Sequence, residues 1–513
     1  MGFSKLHSAQ TTLLKAHIID IEVDISNGLH SFTIVGLPDK AVEESRDRVS
    51  AAIKNSGFKS PKQKNQKVII SLAPADLKKE GPTFDLPIAL AYLLASKEMS
   101  FDPARKIFLG ELSLDGEVRA MTGILPLVEE AKKMGFTEVF VPHKNREEAA
   151  LIEGINIFGI KKLQDIIAHL NTNKKNPTQK SLTPEPATKI IYEKYKSEYD
   201  FEDIRGQEGA KRGLEIAAAG GHSLAMCGPP GTGKTMLAKA FCHLLPEMSF
   251  EEILEVTAIH SVAGTLQDTL VTAAPFRAPH HTASYSSLVG GGSIPKPGEV
   301  TLAHRGVLFL DEFPEFDRRV IDSLRQPLEE KVITVSRARG TAHFPANFIL
   351  IAAMNPCPCG YFGVKNKECV CSPINISNYR RKISGPIVDR IDLWINVEMV
   401  EHQTLGKNNT GENSIDIKKR VANARKIQKE RFEKYKIKIN TNAQLQNKKL
   451  LEIAPLSKEV GEFLNISAEK LEISARGYHR VWKVARTIAD LDKSKEIEIK
   501  HMLEALQYRP KKR

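Results

Sequence analysis

Eight consecutive residues, Gly228-Pro229-Pro230-Gly231-Thr232-Gly233-Lys234-Thr235, fit the spacing G-x-x-x-x-G-K-[ST], and the chemistry of that spacing is to wrap a polyphosphate. Glycines let successive backbone N–H groups curl round the phosphates. The lysine reaches the β- and γ-oxygens, and the Thr235 hydroxyl is placed to ligate Mg2+. Two further segments end in the complementary groups. The apolar run 306–310 ends in Asp311 and Glu312, the first placed to hold Mg2+ through water and the second to polarise the attacking water as general base. The apolar run 348–354 ends in Asn355, whose amide can orient the lytic water. The expected cofactors are ATP and Mg2+, and the expected reaction is hydrolysis of the γ-phosphate.

Such groups converge only if strands end side by side. Leu224-Ala225-Met226-Cys227 reads as a short buried strand entering the glycine loop, and residues 236–245 read as a helix stopped by Pro246. From 200 to 400 strands and helices alternate, the pattern of a parallel α/β sheet with phosphate at the strand ends. Residues 1–170 read as a separate α+β domain with strands at 16–23, 32–36, 68–72, 107–112 and 138–141. Helices fall at 39–56, 84–95 and 125–134. Residues 171–199 are rich in Asn, Lys, Thr and Pro with no apolar period, which predicts a linker. After a second polar break at 406–414, residues 415–513 are helical, with periodic runs at 417–435, 475–491 and 499–506.

The whole chain has 513 residues, too many for one core. No run of about 18 apolar residues occurs, and the N-terminus lacks a signal-peptide pattern, so a cytoplasmic protein with no membrane partner is expected. The net charge of +12, from 74 Lys and Arg against 62 Asp and Glu, suits a polyanionic partner. It suits a plain soluble basic protein equally. Four of the six cysteines, Cys357, Cys359, Cys369 and Cys371, lie in one loop. Four thiolates can surround a structural Zn2+, although the Cys-x-Cys spacing is tighter than the usual Cys-x-x-Cys. Reduced structural thiols and a redox pair remain as alternatives.

Longer strings carry a resemblance. Residues 32–45 (FTIVGLPDKAVEES), 73–82 (APADLKKEGP), 275–282 (PFRAPHHT), 355–360 (NPCPCG) and 384–392 (SGPIVDRID) resemble the ComM/YifB branch of the magnesium-chelatase-like AAA+ ATPases over nearly the whole chain. The resemblance implies a homo-oligomeric, hexameric ring that acts on single-stranded or branched DNA as a helicase or branch-migration factor. It also implies a recombination protein as partner. Arg390, in Asp-Arg-Ile-Asp, looks like an arginine finger lent across a subunit interface. Arg476 looks like the lid arginine that senses nucleotide, with Arg480 as the fallback. For each the bland alternative is a surface salt bridge. Residues 332–344 read as a β-hairpin with Arg337 and Arg339 near its tip, and its counterpart in related rings projects into the pore. Those cations could track DNA phosphates, or simply keep an exposed hairpin soluble. The segment 258–302, with Gly290-Gly291-Gly292, is a second candidate pore loop. Two other functions stay open: a chelatase-like chaperone working with a partner protein, and an ATP-dependent protease.

The third of these depends on residues 1–170, which resemble the proteolytic domain of Lon-type proteases. Gly81-Pro82 is followed by Thr83 where that family's nucleophilic serine would stand. The base position, in Thr122-Gly123-Ile124-Leu125-Pro126, holds Leu125. A hydroxyl with no neighbouring base is a poor nucleophile, so a fluorogenic peptide assay is expected to show no hydrolysis that disappears in Thr83→Ala.

Overall fold

The computed structural model describes residues 2–12, 14–171, 181–188, 199–266, 270–291, 296–337, 340–364, 367–400 and 411–510, with backbone alone at Ser336, Arg337 and Gly340. Arg339, and most of the linker expected at 171–199, lie outside the described residues. Two compact units emerge: residues 1–191 together with 253–271, and residues 192–252 together with 272–513.

In the first unit, seven strands form one sheet in the spatial order Ser31–Val35, Gln66–Ala73, Lys15–Asn27, Gly2–Thr12, Lys106–Phe108, Glu138–Pro142, Asn156–Ile160. Gly2–Thr12 pairs antiparallel with Lys15–Asn27, with Leu6 opposite Ile21. The last three strands run parallel to each other. The helix Lys40–Asn55 starts where the sequence suggests, because the Asp39 carboxylate accepts from the Val42 amide at 2.9 Å and caps an otherwise orphan donor. The helix Asp85–Ala95 is buried nearly all round.

Thr83 sits in the single turn Pro82–Phe84, and Leu125 is buried in the helix Ile124–Lys133, where its side chain is part of the core. Close to Leu125, the buried Glu148 takes hydrogen bonds from the Ser261 hydroxyl (2.7 Å), the Asn145 amide (3.2 Å) and the Leu125 backbone (3.4 Å). Burial nevertheless raises its pKa. Ser261 comes from 253–271, whose Leu254, Ala258 and Leu270 pack on the apolar cluster of Ala9, Ile107 and Val128. Part of the segment read as a second pore loop therefore belongs to the body of this unit.

The second unit is built on five parallel strands ordered Phe276–Arg277, Val307–Leu310, Ile349–Met354, Leu224–Cys227, Leu393–Asn396. Val307–Leu310 and Ile349–Met354 are buried along their whole length, as expected for a sheet covered on both faces. The hairpin expected at 332–344 pairs Val332–Arg337 with Gly340–Pro345, Ile333 facing Phe344. Among the described residues beyond 411 stand five helices: Ser414–Lys434, Asn447–Ile453, Lys458–Lys470, Ala475–Leu491 and Ile499–Gln507. Their apolar faces enter the same core as the sheet, Val421, Trp482 and Ile488 alongside Leu224 and Ile351. No helix among the described residues is long and apolar enough to cross a membrane.

A buried polar knot ties these helices to the sheet. Asp392 pairs with Arg480 and lies 3.1 Å from Nδ1 of the fully buried His222, whose Nε2 is 2.8 Å from the Thr487 hydroxyl. Burial opposes ionisation of Asp392, but Arg480 and His222 override it and hold its pKa below the usual carboxylate range. The carboxylate's stabilising contribution is thus complete above its unfolded pKa of about 3.9 and is lost as pH falls toward the lower folded value. Asp392→Asn is expected to cost about 3–5 kcal/mol at neutral pH by leaving Arg480 half-paired. It should also flatten the acid limb of stability below about pH 4, both read from urea unfolding across pH.

Candidate nucleotide site

At the carboxyl ends of the central strands the chain turns through the glycine loop. Gly231 and Gly233 take φ of +77° and +85°, a left-handed region that favours glycine. Gly228 is required for a different reason: a Cβ there would stand 2.1 Å from the Val397 carbonyl oxygen of the neighbouring strand's end. Thr232 folds its hydroxyl back onto the Pro229 carbonyl at 2.9 Å. The helix Lys234–Phe241 begins directly behind the loop, so its positive end and free amides face the space where phosphates would lie.

Side chains close that space. Nζ of Lys234 donates to the carbonyls of Gly228 (2.7 Å) and Pro229 (2.8 Å) and to Oδ1 of Asn355 (3.2 Å). Burial lowers its pKa, with Asp311 acting the other way, and an incoming triphosphate would favour the charged ammonium. Thr235 Oγ1 lies 2.9 Å from Asp311 Oδ2. The hydroxyl that would ligate Mg2+ and the carboxylate that would hold the ion through water thus stand side by side. Glu312 adopts φ +49°, and its Oε2 lies 3.1 Å from Nδ1 of His281.

His281 was not legible as a site residue, because adjacent histidines in a loop suggest no common direction. Its ring lies beside that of His280, centroids 4.2 Å apart, and near Phe316. Only the fold shows that it meets the proposed base. A His within the 275–282 string was the one available signal.

The two arginines stand elsewhere. Arg390 and Asp392 precede the strand Leu393–Asn396, and Leu393 pairs with Leu224, at the entry of the strand that leads into the glycine loop. They therefore lie at the opposite edge of the sheet from their own chain's phosphate loop. Arg390 is buried, donating to the Pro386 carbonyl at 2.8 Å and pairing with Glu329 Oε2 at 2.7 Å. Arg476 is largely exposed and lies 3.6 Å from the other oxygen of Glu329. Arg480 is taken by Asp392. Nearby, burial pushes Lys331 and Lys483 down to about 8. Thus Arg476 does not reach the nucleotide loop of its own chain; one carboxylate, Glu329, gathers it with Arg390. The strand that carries Arg337 is in place, but its side chain and the hairpin tip lie outside the described residues.

The four cysteines do come together. All four sulfurs lie within 4.8 Å of one another, with Cys357–Cys359 at 3.4 Å, Cys357–Cys369 at 3.7 Å and Cys359–Cys369 at 3.5 Å. A tetrahedron with Zn–S arms of about 2.3 Å has edges of about 3.8 Å, so the donor set fits such an ion. The backbone amide of Tyr361 helps lower Cys359 to about 6, within the range of a metal-binding thiolate.

These placements separate binding from chemistry. Lys234→Ala is expected to weaken ATP binding roughly 100-fold, by removing a charge-assisted contact. Glu312→Gln should leave binding near normal while turnover falls about 10²–10⁴-fold; His281→Ala should lower kcat less. A fluorescent-nucleotide titration alongside phosphate release checks all three.

Comparison with known proteins agrees with this geometry. The family described as "Magnesium chelatase, subunit ChlI" matches residues 200–405, "Subunit ChlI of Mg-chelatase" matches 21–145, and "Magnesium chelatase, subunit ChlI C-terminal" matches 411–509. The competence protein ComM of Haemophilus influenzae is 42% identical over 513 residues, covering 99% of this chain and 98% of that protein. The protein YifB of Escherichia coli is 42% identical over 513 residues, covering 99% and 97%. The DNA repair protein RadA of Streptococcus pneumoniae is similar over a shorter stretch, 32% identical over 91 residues, 18% of this chain and 21% of RadA. With the strand-end convergence of Lys234, Asp311, Glu312 and Asn355, these matches make the chain a member of the ComM/YifB group of magnesium-chelatase-like AAA+ ATPases.

Proposed function

We propose that this ATPase is a ring motor that acts on single-stranded or branched DNA, as a helicase or branch-migration factor in recombination. The observation that carries the reading is the separation of Arg390 and Arg476 from their own glycine loop. A guanidinium that cannot serve its own γ-phosphate can serve a neighbour's, and a sheet with phosphate at one edge and arginines at the other repeats head to tail around a closed ring. The cations Lys331 and Lys483 beside them favour the approach of an anion. The names of the relatives, a competence protein and a DNA repair protein, support DNA as the polymer, with a recombination protein as partner. The +12 charge is compatible with it. Arg337 and Arg339 are assigned to the DNA backbone, and a hexamer is the assembly we infer. Residues 1–170 form an inactive, Lon-like domain that binds DNA or helps assemble the ring.

Zinc belongs to the same reading, held by Cys357, Cys359, Cys369 and Cys371. Four protein ligands leave no open position, so its role is structural.

Subunit mixing tests the shared site. Lys234→Ala and Arg390→Ala are each expected to be inactive alone. An equimolar mixture should regain activity at about a quarter of interfaces, where an intact loop meets an intact arginine. Forked or single-stranded DNA should stimulate ATP turnover, and Arg337→Ala with Arg339→Ala should lose that stimulation. No recovery on mixing would remove the trans assignment; turnover indifferent to DNA but raised by a partner protein would favour the chelatase-like chaperone.

A further inference from the structure

The four-cysteine loop is fastened to the nucleotide site at three points. Cys357 follows Asn355 by two residues, and its side chain is fully buried. Gly360, at φ +85°, presses on the glycine loop so closely that a Cβ would stand 2.6 Å from Cδ of Pro230. Cys371 stands just before the helix Pro373–Arg381, capped by Ser372. That helix carries the largely buried Tyr379 toward the start of the loop, with the Asn355 backbone among the groups that act on its hydroxyl. Arg380 of the same helix covers the ring of Phe362 inside the loop, 5.1 Å from its centroid.

Asn355 is therefore clamped from both ends of the cysteine loop. One clamp is two residues of chain leading to Cys357. The other is the helix that starts after Cys371, which Arg380 fastens to Phe362 inside the loop and which carries Tyr379 toward the Asn355 backbone. The Asn355 side chain in turn touches Lys234 at 3.2 Å. Four sulfurs within 4.8 Å of one another, three of them 3.4–3.7 Å apart, are held far more firmly by a shared cation than by thiol–thiol hydrogen bonds. With one, the loop's two ends are fixed relative to each other.

Resting on the zinc reading above, we propose that metal held by Cys357, Cys359, Cys369 and Cys371 sets the position of Asn355, so that occupancy of the thiol site governs turnover at the nucleotide site. Tyr379 is a positioning residue in this arrangement. It touches neither phosphate nor metal, but relays the loop's closure to the Asn355 backbone. The consequence falls on kcat more than on affinity, because Asn355 orients the attacking water, whereas Gly228–Thr235 hold the triphosphate.

The test uses the full chain. Zinc content is measured by elemental mass spectrometry, the metal is removed with a chelator, and Mg2+ is restored before assay. About one zinc per chain is expected. Removal should raise hydrogen exchange in a peptide spanning 352–357 and lower kcat about tenfold or more, with KM for ATP shifting less than about threefold. Re-added zinc should reverse both. In Asn355→Ala, removal should lower kcat no further, since both changes strike one element. Tyr379→Phe keeps every thiol and should retain zinc while lowering kcat. Protein that carries no metal and takes none up refutes the zinc site itself. Full occupancy, with exchange at 352–357 and kcat unchanged on removal, refutes the coupling alone, as do additive losses in Asn355→Ala. A Tyr379→Phe protein with undiminished kcat refutes the relay.

Discussion

A triphosphate brings several negative charges into a crevice of restricted solvent access, and they must be met by donors that do not have to be reorganised. Backbone amides of the glycine loop, the positive end of one helix and a single ammonium supply that field. Each is fixed by something else. The φ values of Gly231 and Gly233 set the amides, and the tight approach of Gly228 to Val397 sets where the loop leaves the sheet. Parallel pairing with Ile349–Met354 brings Asn355 alongside. The burial of the central strands follows from this: a crevice shaped to within a few tenths of an ångström needs walls that do not shift.

The same sheet dictates where the arginines go. A parallel strand of four residues spans about 13 Å, so groups at its two ends cannot share one ligand. Lys234, Asp311 and Asn355 follow strands; Arg390 and Asp392 lie just before a strand, where Arg480 of the helix Ala475–Leu491 pairs with Asp392. Glu329 offers one oxygen to each of Arg390 and Arg476, joining a turn near the sheet to a helix more than eighty residues later. One carboxylate between two guanidinium groups leaves the trio with a net positive charge, so the pair can still attract an anion.

Much of the nucleotide site could be read from residue order because its constraints are local. A φ beyond the reach of other residues forces glycine, and a buried strand must end before a charge can meet solvent. The elements that escaped were those whose signal is not local. Gly2–Thr12 was missed as a strand because its buried face includes Ser4 and Ser8, which satisfy their hydroxyls on Ala91 and Phe108 carbonyls. An apolar-alternation reading passes over such residues. The helix Phe250–Ala263 has apolar residues spread round its axis, so periodicity offers no face and no hint of which core it enters. Leu254 and Ala258 enter that of the first unit. His281 and Glu329 escaped for the same reason: each acquires its role from a partner dozens of residues away.

Cysteine clusters and catalytic loops usually invite separate descriptions, and here a single turn of chain makes that separation artificial. The strand Ile349–Met354 is buried and paired through its last residue, but Asn355 lies beyond it, where sheet hydrogen bonds no longer dictate direction. Something downstream must supply the missing constraint. The residues downstream are Pro356, Cys357, Pro358, Cys359 and Gly360. Two prolines restrict φ, two sulfurs turn toward a common centre, and a glycine lies flush against Pro230. A loop of that composition is poorly suited to bending with each nucleotide. It is well suited to hold one amide still beside Lys234.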